Sequence, residues 1–350
     1  MKKANFAIVG LGMAVGPHAK SFLDLADRAS VLYAYSPSLV RRQAFAAKFP
    51  FPLADSLDRI LNDPAVDAVS ILTPPNTHLD LVRQCAAAGK HVLLEKPLEV
   101  TLERAREVVD TCRRAGVRLG VTLQHRFRPA VMRLSELLRT GSLGGIAGAS
   151  TSIRLWRPQS YYDVPGRGTK ARDGGGVLLT QGIHTLDVML SLAGPAVEVM
   201  AYATTSPLHR METEDLVAGA IRFANGALGT IDVTTAAFPG FPERVELICR
   251  NGTAILAGTA LDVFWHDGRT ERIEPDPSPG GTGADPMAFP NDWHRALIAD
   301  FIDAIQTGRE PRVNGPAALH VHYLIDALLR SAEEKRPVLL PIDICPPAPA

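Results

Sequence analysis

The 350 residues are 46% apolar and carry 37 basic against 37 acidic side chains, a formal net charge of zero. That length exceeds the usual size of one core and predicts roughly two domains, while the balanced charge excludes both the electrostatic footprint of a nucleic-acid binder and a polybasic membrane patch. Cys85, Cys112, Cys249 and Cys345 lack the C-x-x-C spacing of a zinc site or a disulfide framework, so no metal is expected.

Met1-Lys2-Lys3-Ala4-Asn5 runs directly into the apolar Phe6-Ala7-Ile8-Val9. This leaves no room for a signal peptide, and no apolar run approaches the ~20 residues of a membrane helix, so a cytoplasmic location without a membrane partner is expected. The strand runs into Gly10-Leu11-Gly12, and a helix with Ala19, Phe22, Leu23 and Ala26 on its inward stripe should begin near Ala14. Such a start suits dinucleotide binding, because the glycines let a pyrophosphate approach the backbone at a helix N-terminus. The third glycine of G-x-G-x-x-G falls on Val15, with Gly16 one place later, so this stretch alone also fits a tight turn that binds nothing.

Apolar runs recur at Val31 to Tyr35, Ala68 to Leu72, His91 to Glu95 and Val117 to Leu123, separated by charged, helix-like segments. The alternation implies a parallel sheet covered by helices. Thr77 with Asp80 reads as a capping box, and Gly89 and Gly116 sit where helices should stop. Residues 1–124 are therefore expected to form a Rossmann-type domain.

From residue 125 the texture becomes strand-rich, at Ala149 to Trp156, Val197 to Thr205, Leu216 to Phe223, Leu228 to Ala236 and Glu243 to Cys249. Asn225-Gly226 and Asn251-Gly252 favour tight hairpins. Helices are predicted from about Gly176 to Leu192, His294 to Gln306 and Pro316 to Glu334. Residues 125–350 thus read as an α+β domain on a large, mostly antiparallel open sheet. The stretch from Pro275 to Asp292 has five prolines and three glycines and is expected to be a flap or a surface loop.

Two places carry chemistry. Glu95-Lys96-Pro97 ends a buried-looking strand, where ligands of open α/β sheets bind, so Lys96 could reach a substrate; otherwise it is a solvated strand-end lysine. Gly174-Gly175-Gly176 lets the backbone pack closely, and the following helix carries Thr180, His184 and Asp187 at i, i+4 and i+7 on one face. His184 could be a base, or a satisfied core histidine on an apolar helix.

Taken with His18 beyond Gly10-x-Gly12, Thr73-Pro74-Pro75-Asn76-Thr77-His78 and Gln124-His125-Arg126-Phe127, these motifs resemble, nearly end to end, the Gfo/Idh/MocA oxidoreductases, a family named for glucose-fructose oxidoreductase and inositol dehydrogenase. The resemblance implies an NAD(P)-dependent dehydrogenase or reductase of a sugar, cyclic polyol or nucleotide-linked or acidic sugar derivative, with Lys96 and His184 catalytic. It also implies a homodimer or homotetramer formed through the exposed face of the second sheet. Cofactor contacts are expected from Gly10, Gly12, Met13, Ala14, Ser36, Arg41, Thr73, Pro74, Asn76, His78, Glu95, Lys96 and Gln124. Substrate contacts are expected from Lys96, Arg126, Trp156, Tyr161, Arg172, Thr180 and His184. Arg126 and Gln124 could instead only tie the domains together. The alternatives are a reductase of a non-sugar carbonyl compound and a non-catalytic dinucleotide-dependent sensor.

Thr180 departs from the acid or amide usual in the family at that place, and its hydroxyl offers fewer hydrogen bonds and no charge. At the end of the second strand Ser36 stands where NAD enzymes commonly place Asp or Glu. Without a carboxylate to repel a 2'-phosphate, and with Arg41 and Arg42 nearby, NADP is favoured over NAD.

Overall fold

A computed structural model describes residues 3–276 and 290–341. Most of the proline-rich stretch, and Cys345, lie outside the described residues. The chain divides into two compact units, Met1–Gln124 with Pro290–Leu319, and His125–Phe289 with His320–Ala350.

The first unit is a five-stranded sheet of β1 (Ala4–Val9), β2 (Ala29–Tyr35), β3 (Ala68–Ile71), β4 (His91–Leu94) and β5 (Leu119–Val121), in the order β2-β1-β3-β4-β5. Every pair is parallel. β3 is buried throughout and β1 and β4 nearly so, as strands covered by helices on both faces must be. The order reverses between β1 and β3, and at such a switch point the loops leaving the strands' carboxyl ends diverge to leave a crevice.

Residues 290–319 belong to this unit, which corrects the expectation of a second domain running unbroken from 125 to 350. The helix Asp292–Thr307 carries Phe301, which packs 6.2 Å from Phe6 of β1, centroid to centroid, and whose ring fills the space beside Gly120 of β5. The side chain of Arg28 pairs with Asp303, and the N–H of Val121 donates to the carbonyl of Val313 at 2.9 Å. Buried aromatic area on a helix does not show in sequence which core it will join.

Helix punctuation follows the sequence in one place and departs from it in another. Gly116, at φ +68°, closes the helix Leu102–Ala115, whose N-terminus Thr101 caps by accepting from the N–H of Arg104. The capping box of Thr77 and Asp80 does not form. The Thr77 hydroxyl turns back to Thr73 Oγ1 and the Pro74 carbonyl, both at 2.7 Å. The N–H of Leu79 in the helix His78–Ala87 donates instead to the buried carboxylate of Glu99 at 3.3 Å.

The second unit is a nine-stranded sheet of β6 (Ile146–Arg154), β7 (Ala196–Thr204), β8 (Leu216–Phe223), β9 (Leu228–Thr234), β10 (Arg244–Cys249), β11 (Gly252–Ala257), β12 (Ala260–Trp265), β13 (Thr270–Ile273) and β14 (Val338–Leu339). Its order is β13-β12-β11-β10-β6-β9-β8-β7-β14, antiparallel except for β6 with β9. The two Asn-Gly sites join β8 to β9 and β10 to β11. Strands alternate: Val217, Ile221 and Phe223 of β8 are buried, whereas Leu216, Ala218, Ala220 and Arg222 face outward. The outward side also bears Tyr202, Leu228, Ile248 and Phe264. The stretch Lys170–Ala193 meets the length and hydropathy of a membrane span, contrary to the sequence reading, but it is 78% buried and serves as core.

Candidate active site

In the first unit the loop after β1 sits at the switch point. Gly10 has φ +103°, and a Cβ there would lie 2.6 Å from the backbone of Leu72 at the end of β3, so only glycine fits. A Cβ on Gly12 would meet nothing within 4 Å, which leaves the loop open. No side chain caps the helix Val15–Asp24, and the N–H of Val15 donates to the Gly12 carbonyl at 3.3 Å. Met13 beside it is exposed.

His78 is fully buried, with Nε2 2.9 Å from the Thr73 carbonyl and Nδ1 3.0 Å from that of Pro97. It therefore links the Thr73-Pro74 loop after β3 to the segment after Lys96, a structural duty where a cofactor contact was expected. Burial holds its pKa below the ordinary value. Asn76 is exposed on this loop. Gln124 is 5% exposed, and its Oε1 is buried with no hydrogen-bond partner among the described residues. That orphaned acceptor, the open Gly12 loop and the uncapped helix N-terminus all fit a dinucleotide carrying phosphates and an amide.

Ser36 is 3% exposed, and its Oγ accepts from the N–H of Ser38 at 3.4 Å. Arg42 is tied to the Ser36 carbonyl at 2.5 Å, whereas Arg41 is exposed at the start of the helix Leu39–Ala46.

Glu95 and Lys96 follow β4. The Glu95 carboxylate accepts from His18 Nε2 at 2.8 Å and from the Lys96 backbone N–H at 3.0 Å. The His294 ring stands edge-on to His18 at 5.1 Å. Donor atoms of His18, Glu95 and His294 lie within 4.8 Å of one another, a grouping that the sequence reading did not single out, since its members are 77 and 199 residues apart in sequence. The hydrogen bond between His18 and Glu95 uses two of those atoms.

Burial pushes His294 down to about 3, with a further push from His18. Its folded pKa lies below the ordinary 6.5, so the neutral ring contributes stability that is complete above pH 6.5 and lost as pH falls toward 3. Each pH unit in that window should cost about 1.4 kcal/mol from this group, and His294→Phe should flatten the acid limb of urea midpoint against pH. An unchanged limb would remove His294 as its cause.

In the second unit the glycine triplet packs against Glu214. Its carboxylate accepts from the N–H groups of Gly176 at 3.0 Å and Leu178 at 3.2 Å, and its carbonyl from that of Val177 at 2.8 Å. Burial raises the Glu214 carboxyl above its ordinary value against these bonds. A Cβ on Gly176 would lie 1.8 Å from the Glu214 carbonyl oxygen. Gly176→Ala should therefore lower stability by more than about 3 kcal/mol, read as a shift in urea midpoint; a loss below about 1 kcal/mol would show that the backbone yields.

The predicted helix begins as a π turn, Leu178–Gly182, and becomes α-helical at Ile183–Ala193. The Thr180 hydroxyl bonds the Gly176 carbonyl at 2.6 Å and also meets Gln181. His184 is half-buried and stacks on His125, centroids 4.5 Å apart and planes at 27°. Arg128 donates to His125 Nε2 at 2.8 Å and to Glu243 at 2.6 Å, which leaves the His125 proton on Nδ1. Asp187, 1% exposed, is gripped by Arg126 through two hydrogen bonds of 2.7 and 2.5 Å, so the Arg126 guanidinium is engaged by protein.

Tyr161 is half-buried, with the Arg167 guanidinium 4.0 Å from its ring centroid and that of Arg157 at 5.7 Å; Gln181 donates to its hydroxyl at 3.3 Å. Trp156 meets Phe238 edge-on at 5.5 Å. Arg172 donates to the Pro165 carbonyl at 2.7 Å, which fixes it along the segment. Lys96 thus lies in the first unit and His184 in the second.

The profile of an oxidoreductase family with an NAD-binding Rossmann fold matches residues 4–123, and that of the GFO/IDH/MocA C-terminal domain matches residues 131–255. The chain is similar to a myo-inositol 2-dehydrogenase of Thermotoga maritima, 27% identical over 96% of this chain and 98% of that protein. It is also similar to D-xylose 1-dehydrogenase (NADP+) 2 of Haloferax volcanii, 27% identical over 84% of this chain and 86% of that one. Among solved structures, the WlbA dehydrogenase of Bordetella pertussis in complex with NADH and UDP-GlcNAcA superposes with a TM-score of 0.84 and 29% identity, covering 97% of this chain and 99% of that one.

Proposed function

Because the chain belongs to the Gfo/Idh/MocA oxidoreductase family, an NAD(P)-dependent dehydrogenase or reductase acting on CH–OH groups, we propose that its substrate is a sugar, cyclic polyol or sugar derivative, and that Lys96 and His184 are the reacting pair. The observation that carries this reading is the placement, in one unit, of an open glycine loop at the switch point and of Lys96 beyond β4. A bound dinucleotide supplies a nicotinamide that exchanges hydride with the substrate carbon. The chain's own residues manage the proton. His184 accepts it from the substrate hydroxyl, and Lys96 donates hydrogen bonds to the same oxygen and favours its developing negative charge.

The cations and aromatics around Tyr161 suit a nucleotide-linked or acidic sugar, the kind of ligand bound by the Bordetella relative. The outward apolar side chains of the second sheet suit a homodimer or homotetramer. We place the enzyme in the cytoplasm.

NADP is the favoured cofactor, because Ser36 leaves no carboxylate at the end of β2 and Arg41 is exposed beside it. Titration with NADPH and NADH, followed by nicotinamide fluorescence, tests this. Tighter NADPH binding is expected, and Ser36→Asp should weaken it about tenfold or more while sparing NADH. Tighter NADH binding by the wild type would reverse the assignment, and binding of neither would remove the enzyme reading. The preferred reduced cofactor should then be oxidised by a member of a keto-sugar panel.

A further inference from the structure

We propose that His18 is a positioning residue for Lys96 and acts through the Glu95 carboxylate. The inference deepens the reading of Lys96 as a reacting group and rests on it, yet its central measurement needs no substrate.

Both Glu95 oxygens are occupied. Oε1 takes the hydrogen bond from His18 Nε2 at 2.8 Å, and Oε2 takes the one from the Lys96 backbone N–H at 3.0 Å. The His18 side chain is 0% exposed and that of Glu95 13%. An ionised carboxylate so placed is stable only where donors meet its lone pairs. Burial pushes the Glu95 carboxyl up, but the His18 hydrogen bond, the two imidazoles and Lys96 outweigh it and hold the group below its ordinary value. His294 closes the side of His18 with its ring edge-on at 5.1 Å, and from that place His18 donates to the carboxylate.

His18 lies on the helix Val15–Asp24, whose N-terminus follows the Gly10–Gly12 loop. One hydrogen-bonded link therefore runs from this helix through Glu95 to the backbone of Lys96. Displacing a reacting group by about 1 Å can cost on the order of 10²-fold in rate, so fixing this backbone is a functional requirement.

Amide hydrogen exchange at Lys96, read residue by residue, tests the link. In His18→Phe, which keeps the ring volume and loses the donor, the Lys96 amide should exchange at least about tenfold faster, with Val92 and Leu93 of β4 unchanged. In His18→Gln, which restores an N–H near Oε1, exchange should return to within about threefold of the wild type. An unchanged Lys96 amide in His18→Phe would overturn the proposal. So would equal acceleration throughout β4, which marks a general packing loss. If His18→Phe does not fold, His18→Leu serves: it removes the same donor, and an unaltered Lys96 amide there would equally overturn the proposal. Wild-type turnover in Lys96→Ala would sink the catalytic reading alone and leave the exchange result standing.

Discussion

Replacing Lys96 by alanine is expected to lower kcat by about 10²–10⁴-fold, the range for removing a proton-transfer partner or a donor to developing negative charge. The backbone N–H of residue 96 is held by the Glu95 carboxylate, and β4 before it is nearly all buried, so the main chain at this place has supports of its own. Affinity for the reduced cofactor should stay within about threefold of the wild type, if the proposed phosphate contacts are made by the Gly10–Gly12 loop and not by this side chain. Lys96→Arg should not restore turnover, since a planar guanidinium cannot place a donor where a compact ammonium stands. Steady-state kinetics with whichever keto-sugar the panel yields, beside fluorescence titration of the cofactor, checks all three. Turnover within about threefold of wild type in the alanine variant would remove Lys96 from the reaction.

Legibility in the sequence followed the range of the interactions. The five parallel strands were readable because each is an apolar run bounded by helix punctuation, and the Asn-Gly pairs marked both of their hairpins. The strands β11 to β14 carried weaker signals. β14 is two residues long, and β13 alternates exposed with half-buried positions. The glycine triplet announced a close approach, but its partner Glu214 lies 38 residues on and nothing local names it. The π turn at Leu178–Gly182 has no periodic signature, so the sequence shows there only one continuous helix. His294 and His18 meet because the helix Asp292–Thr307 returns to the first unit through Phe301, a tertiary choice that propensity does not encode.

Arg126 shows how such a partner changes the meaning of a motif. Met by two short hydrogen bonds to a carboxylate that is 1% exposed, its guanidinium is the chief neutraliser of Asp187. Burial already raises the Asp187 carboxyl above its ordinary value, against the pull of Arg126 and the lesser one of His320. Arg126→Ala should therefore cost about 3–5 kcal/mol at pH 7, because it leaves a buried charge uncompensated. The sign of the pH dependence follows. With the folded pKa raised further in the variant, the neutral carboxyl is the form the fold tolerates. The deficit should then shrink as pH falls toward about 5 and grow as pH rises through the folded pKa. Replacing both residues, as Arg126→Met with Asp187→Leu, should recover most of the loss, since an apolar pair of similar volume has no desolvation to offset. Urea midpoints of the single and double variants at pH 7 and 5 check this. A single variant within about 1 kcal/mol of wild type would mean that water or another cation reaches Asp187, and Arg126 would again be open to a role in binding substrate.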